Sequence, residues 1–320
     1  MANYIVTDTD MTAVADAIRS KAGSSGSLAF PSAFVSAINN IPSGGGGGKE
    51  AEIIDRTIST YTNSEVTTIG TNAFFGCSNL TSVSFPNATF IGERAFGGCQ
   101  RLEDVSIPNA LVIGSSAFYD CSKLSTVSFP NATHISENAF YGCSTLIEAI
   151  FQNAMYLSSY AFINCTKLET ASFPNVASIG RYAFSYCINL SAISFPSATT
   201  IGSNAFIRCS KLTEVDFPKV QTIYSNAFSD CQSISAVYFP KATKISNSAF
   251  YNCRVLMSAY FLSVSSVPTL GTYVFASTPI GGYSTITGRI GSIYVPASLY
   301  DAFISAKNWT SVSNRIVSVS

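Results

Sequence analysis

The chain has 320 residues, of which 11% are charged, and its 18 basic and 18 acidic side chains cancel to a formal net charge of zero. That is less than half the usual charge content of ~25%, and no basic excess is left to neutralise a phosphate backbone, so nucleic acid is not an expected partner. No apolar run approaches the ~18–20 residues that span a bilayer, so membrane insertion is not expected. The first ten residues also lack the basic and apolar regions of a secretory signal.

Residues 8–22 predict an amphipathic helix, with Asp8, Thr9 or Asp10 at its start, Met11, Val14, Ala15 and Ile18 as its apolar stripe, and Gly23 beyond its last turn. A second short helix is expected over Pro31–Asn39, with proline at its first position and Phe34, Val35 and Ile38 facing inward. Pro42-Ser43 and five glycines, Gly44–Gly48, follow as a flexible linker.

Nine cysteines then stand at Cys77, Cys99, Cys121, Cys143, Cys165, Cys187, Cys209, Cys231 and Cys253, every interval being 22 residues. A fixed period in this range is the signature of a solenoid, one supersecondary unit per period. Ala-Phe precedes each cysteine and an aliphatic residue follows three positions later. In Leu80-Thr-Ser-Val83-Ser-Phe85-Pro86, Val83 and Phe85 alternate inward as a half-buried strand, and Pro86 ends it because proline lacks a ladder donor. Ile91 is the next inward residue, and Gly92 is expected to permit a positive-φ turn. Phe96 and Cys99, three apart, place both on one side of a short helical or 3₁₀ turn. Stacked copies predict one parallel sheet with strands ~4.8 Å apart.

Counting back one period gives Ile58, Tyr61, Val66 and Ile69, an N-terminal half-repeat that caps the array. At the other end Val274-Phe275 is three residues out of register and Thr278 stands where cysteine is due. Ile293–Pro296 restores the strand pattern, residues 297–307 predict a helix, and residues 315–320 a last strand. The expected organisation is a helical module (1–42), a glycine-rich linker (43–50), the array (51–280) and a C-terminal cap (281–320).

The unit resembles the BspA-like, or Treponema-type, leucine-rich repeat, whose pattern runs close to L-x-x-I-x-I-P-x-x-V-x-x-I-G-x-x-A-F-x-x-C, and the match covers roughly residues 53–280. It departs by being one residue shorter between Pro86 and Ile91, and Gln152, Leu157 and Ser158 replace the proline, isoleucine and glycine of the middle repeat. The resemblance implies a right-handed parallel-β leucine-rich-repeat solenoid of about ten 22-residue turns. The N-terminal stretch, Thr9-Asp-Met-Thr-Ala-Val-Ala-Asp-Ala-Ile-Arg and Phe30-Pro-Ser-Ala-Phe-Val-Ser-Ala-Ile38, resembles modules that open tail-associated proteins of phages and prophages of Gram-positive bacteria.

The chemistry-bearing residues point away from catalysis. The cysteines lack any Cys-x-x-Cys pair and hold one inward position, so they are read as a buried packing ladder rather than a metal or redox device. His134, the only histidine, occupies a variable position read as exposed, and Glu103, Glu148, Glu169 and Glu214 do not converge on a carboxylate pair. Asn87-Ala-Thr, Asn131-Ala-Thr and Asn164-Cys-Thr match glycosylation acceptors but follow from the repeat consensus. The outward strand position runs Ser84, Ser106, Ser128, Ile150, Ser172, Ser194, then Asp216, Tyr238, Tyr260 and, if the sheet continues, Tyr294. A serine lawn thus gives way to a tyrosine ladder, rigid amphipathic contact area of the kind binding surfaces use, on what is expected to be the concave face. Asp216, Tyr238, Tyr260 and Tyr294 are the candidate ligand-binding residues; Tyr156, Tyr160, Tyr182 and Tyr186, assigned to turn positions, form a second candidate group. No enzyme, cofactor or metal site is expected. The expected function is recognition of a host cell-surface protein or glycan. The resemblance implies a virion protein, assembled in the bacterial cytoplasm and acting outside it, with residues 1–42 on other tail proteins. The alternative is an adhesin on the bacterial surface.

Overall fold

The computed structural model describes residues 58–282 and 290–320. The expected helical module, the linker and the array's first residues through Thr57 lie outside the described residues.

Each period folds as two short strands and a turn. The first strand has three residues (Ser82–Ser84, Asp104–Ser106 and their successors) and the second has two (Phe90–Ile91, Val112–Ile113 and theirs). Strands pair in parallel with their equivalents one period on, Val83 with Val105 and Ile91 with Ile113, save at two breaks in the first row. The described chain makes about eleven such turns. The strands form two rows, not the one sheet expected from the sequence. The isoleucine row is a continuous ten-stranded sheet from Thr68–Ile69 to Thr269–Leu270. The serine row is split into sheets of three, three and five strands, interrupted at residues 126–128, which form no strand, and between Ser194 and Glu214.

The Ala-Phe-x-x-Cys segment is a third ladder, and it is not helical. Its N–H groups alternate in destination: Ala73, Phe75 and Cys77 bond three residues back within the turn, whereas Asn72, Phe74 and Gly76 bond carbonyls of the following turn. A helix or 3₁₀ segment would keep all these donors inside one turn. The alternation is enforced by two left-handed residues per turn, Asn72 (φ 59°) and Gly76 (φ 69°) in the first case. Gly92, by contrast, has no positive φ; a Cβ there would lie 2.7 Å from the backbone of Gly70, so glycine serves close stacking of turns rather than a left-handed conformation.

The interior is built from columns. Phe74, Phe96, Phe118 and their equivalents through Phe275 stack with centroids 5.0–5.9 Å apart and interplanar angles of 1–14°. The nine cysteines are buried with free thiols, as the ladder reading requires. From Cys99 to Cys253 each Sγ donates to the carbonyl of the phenylalanine one turn earlier, at 3.0–3.2 Å. That oxygen already accepts the N–H of its own turn's cysteine, Cys77 N to Phe74 O at 3.0 Å, so the thiol occupies its second lone pair. Alanine fills less of this space and valine cannot donate; cysteine is a small apolar group with a weak donor.

Pairing and packing continue to both ends of the described residues. Thr60–Thr62 pairs with Ser82–Ser84, and Tyr61 lies edge-on to Phe74 at 5.1 Å. At the C-terminus Phe275 rejoins the stack on Phe250, and buried Thr278 turns its hydroxyl to Phe275 O at 2.6 Å in its own turn. Ser292–Pro296 adds a strand, Ala297–Leu299 and Tyr300–Ser305 form a short 3₁₀ and an α segment, and Ile316–Val319 is the last strand. Trp309 is buried, meets Phe303 and Phe261 edge-on at 4.9 and 5.5 Å, and donates Nε1–H to Pro268 O at 2.7 Å.

Candidate functional site

Parallel pairing without a shift sets outward residues directly above one another. Asp216 faces Tyr238, Tyr238 faces Tyr260, and Tyr260 faces Tyr294, because the strand at Ser292–Pro296 does continue the sheet. The four residues singled out in the sequence therefore occupy one column. Strand spacing near 4.8 Å suits offset-stacked rings: Tyr238 and Tyr260 have centroids 4.6 Å apart and lie 2° from parallel, Tyr260 and Tyr294 4.7 Å and 10°.

This geometry corrects one expectation about the ladder. Rings stacked face to face cover each other, so Tyr260 is sandwiched and offers edges and a hydroxyl rather than a platform. The ladder presents its ring at one end, Tyr238, which is 46% exposed. There the column steps down from tyrosine to the exposed, shorter Asp216, and the step forms an open groove of ≈ 610 Å³. Thr213, Asp216 and Ser235 supply its polar lining, and Tyr238, Tyr260, Pro240 and Leu262 most of its apolar one. Leu262 is 45% exposed and stands where earlier turns carry Pro86, Pro174 or Pro240. It belongs to the site and was missed; its departure from the repeat default was the available signal.

The second tyrosine group does not form one site. Tyr156 lies on a strand of the isoleucine row, not on a turn, and stacks on His134 at 4.3 Å. His134 is accordingly half-buried rather than exposed; its Nδ1 lies 2.9 Å from Thr133 Oγ1, and burial lowers its pKa to about 4. Tyr160 and Tyr182 stack at 5.2 Å on the turn ladder, both with left-handed backbones, and Arg181 lies over the Tyr182 ring at 4.9 Å. Tyr186, also left-handed, lies under Arg208.

Two further sequence motifs find structural uses. Asn87 and Asn131 donate their side-chain amides to Ser64 O (2.7 Å) and Pro108 O (3.1 Å) of the preceding turn. Asn164 donates to the Tyr141 hydroxyl at 3.4 Å. Burial holds thiols of the ladder protonated: it pushes Cys99 up to about 12, and Cys121, Cys165 and Cys231 well above the ordinary range. Unionised buried thiols are poor nucleophiles and poor metal ligands, and no cluster of metal-ligating side chains occurs among the described residues. Among those residues no helix is long and apolar enough to cross a membrane.

Several solved structures are similar to this chain. A leucine-rich repeat protein from Bacteroides ovatus is 19% identical, with a TM-score of 0.53 over 83% of this chain and 85% of that one. The T. pallidum leucine-rich repeat protein is 26% identical, with a TM-score of 0.43 over 47% of this chain and 73% of its own. The pneumococcal vaccine antigen PcpA is 15% identical, with a TM-score of 0.43 over 82% and 79%. No curated protein matches the chain. The family model for the BspA type leucine-rich repeat region matches residues 56–169 and 155–281, in six copies. Two thirds of the sequence thus follows that one pattern, and the chain belongs to the BspA-type leucine-rich-repeat family.

Proposed function

We propose that this chain is a non-enzymatic recognition protein that holds a host-surface glycan in the groove between Asp216 and Tyr238, as part of a phage tail. The observation that carries the reading is the end of the tyrosine ladder, where an exposed ring adjoins a carboxylate and two hydroxyl residues in one groove. A sugar ring has an apolar C–H face and a hydroxyl rim, so it needs an aromatic surface and hydrogen-bonding groups side by side. The BspA-type family is one of repeat scaffolds, and solenoids offer extended surfaces for partners. The tail setting rests on the resemblance of residues 9–38 to phage tail modules, with residues 1–42 docking on other tail proteins.

Replacing Tyr238 and Tyr260 together by serine restores the default of the earlier turns and leaves folding nearly intact, as surface changes usually do. Binding to isolated cell-wall material should fall at least tenfold, about 1.4 kcal/mol. Tyr238→Ser alone should weaken it less, since Tyr260 then ends the ladder one turn farther from Asp216. Unchanged binding by a normally folded double variant refutes the site. For the setting, antibodies to residues 49–320 should label purified virions, and deletion of residues 1–48 should abolish incorporation. Labelling of the bacterial surface without virions supports the second reading, an adhesin of this repeat family.

A further inference from the structure

A second set of departures from the repeat default lies beside the groove. After the serine-row strand, five turns carry asparagine: Asn87, Asn109, Asn131, Asn153 and Asn175. All five amides donate to a carbonyl of the preceding turn, at 2.7–3.1 Å. From there the position changes to Ser197, Lys219, Lys241 and Ser263. The structural device is dropped at Ser197, one turn before the outward strand residue changes from serine to Asp216, and stays absent beside Tyr238 and Tyr260. Lys219 and Lys241 are exposed, in adjacent turns, and Lys241 directly follows Pro240 of the groove lining. Two other cations of this region are engaged, Lys244 over the Tyr224 ring and Arg208 over Tyr186 and 3.9 Å from Asp230. Lys211, two residues before the groove's Thr213, is exposed like the lysine pair but has no lysine at its position in the adjacent turns. Neither Lys219 nor Lys241 makes an ion pair among the described residues.

We infer that the groove selects an anionic glycan, one whose repeating unit carries a phosphate or carboxylate that Lys219 and Lys241 receive while a sugar ring lies against Tyr238. The inference rests on the groove reading above and names its ligand class. Two ammonium groups on successive turns match a charge repeated along a polymer better than a single isolated anion. Asp216, at the strand end of the groove, repels an anion there and orients hydroxyls, which places the charged group at the lysine rim.

The test uses the full chain and three immobilised polymers: a glycerol-phosphate polymer, a galacturonate polymer and a neutral galactan of similar length. Wild-type protein should bind one or both anionic polymers about tenfold more tightly than the galactan, and the preference should shrink as salt is raised. K219Q/K241Q should lower anionic binding to the neutral level and leave galactan binding unchanged, while K219R/K241R restores the preference. Preference for phosphate or for carboxylate identifies the anion, and either supports the inference. Equal binding of all three polymers, or no loss in K219Q/K241Q, overturns the charge assignment. So does an equal loss in K123Q/K167Q, a pair of exposed lysines on distant turns, because that reports net charge alone. In each of those cases the groove reading stands if Tyr238→Ser/Tyr260→Ser still loses binding. If that double variant binds every polymer like the wild type, the groove reading itself falls.

Discussion

Truncating Phe162 to alanine removes the centre of the phenylalanine column. Its ring is fully buried, stacked between Phe140 at 5.0 Å and Phe184 at 5.3 Å, and angled against Phe151 and Phe173 at 5.9 and 5.8 Å. Burying roughly 150–200 Å² of aromatic surface at about 25 cal/mol/Å² gives about 4–5 kcal/mol. Large-to-small core changes at phenylalanine span about 3–5 kcal/mol, depending on how far the site collapses. Here collapse is opposed, because the turns of Phe140 and Phe184 are both held by the continuous isoleucine row and by the turn ladder. The upper end, about 5 kcal/mol, is therefore expected. Phe275, which among the described residues stacks on Phe250 only, should cost less than Phe162 when truncated, because one side of its cavity can relax. Guanidinium unfolding followed by circular dichroism measures both. In a one-dimensional stack a central loss also weakens the coupling between halves, so Phe162→Ala should broaden or split the transition. A loss below about 2 kcal/mol, with an unchanged single transition, would falsify the column as the source of cohesion.

Three other outcomes follow from named groups. Seven thiols have pKa values raised by burial (Cys99, Cys121, Cys143, Cys165, Cys209, Cys231 and Cys253). The unfolded chain ionises above pH ~8.5 while the folded one keeps these protons, so stability is full below that pH and falls by up to about 1.4 kcal/mol per thiol per pH unit above it. Denaturation midpoints at pH 8 and 10 check this, and a flat profile, or ready labelling of most thiols in native protein, contradicts it. His134 is held neutral, with its pKa lowered to about 4; the unfolded residue charges below pH ~6.5, so its contribution is lost as pH falls from there towards 4. His134→Phe should flatten that segment of the pH–stability profile relative to wild type, and superimposable profiles would count against it. Gly114→Ala should destabilise by about 1–3 kcal/mol, as overpacking does, because its Cβ would meet Ile91 O at 2.5 Å; a neutral effect in thermal melts would show that the turns can part there.

How much of this was readable in advance depends on whether a property belongs to one turn or to the contact between two. The cysteine position was legible as buried because nine copies sample one environment, and the structure buries all nine. The strand at Ser292–Pro296 was legible because Ile293–Pro296 repeats the unit, which is also why Tyr294 joined the ladder. The failures all lie between turns. Phe96 and Cys99 are spaced as on a 3₁₀ turn, but half the segment's N–H groups leave for the neighbouring turn, which spacing within one turn does not reveal. Gly92 was read as a conformational glycine, yet what it avoids is the backbone of Gly70, a residue one period away. Asn87 and Asn131 were read only as consensus by-products that match a glycosylation motif, and they are cross-turn donors.

The same distinction governs the site. The period set Asp216, Tyr238 and Tyr260 in one column, and Tyr294, 34 residues on, joins it because the strand at Ser292–Pro296 continues the sheet. Which part of each ring faces solvent was not set by the period, because it depends on each tyrosine's neighbours above and below. Identical neighbours stack and hide their faces; unlike neighbours leave a step. The groove exists where a tyrosine meets an aspartate, with Leu262 replacing a proline nearby and lysines replacing asparagines one turn position later. In a stack of near-identical units, recognition chemistry is therefore expected at the boundaries between runs of like residues rather than within them. The serine lawn from Ser84 to Ser128, uniform from turn to turn, offers no such boundary.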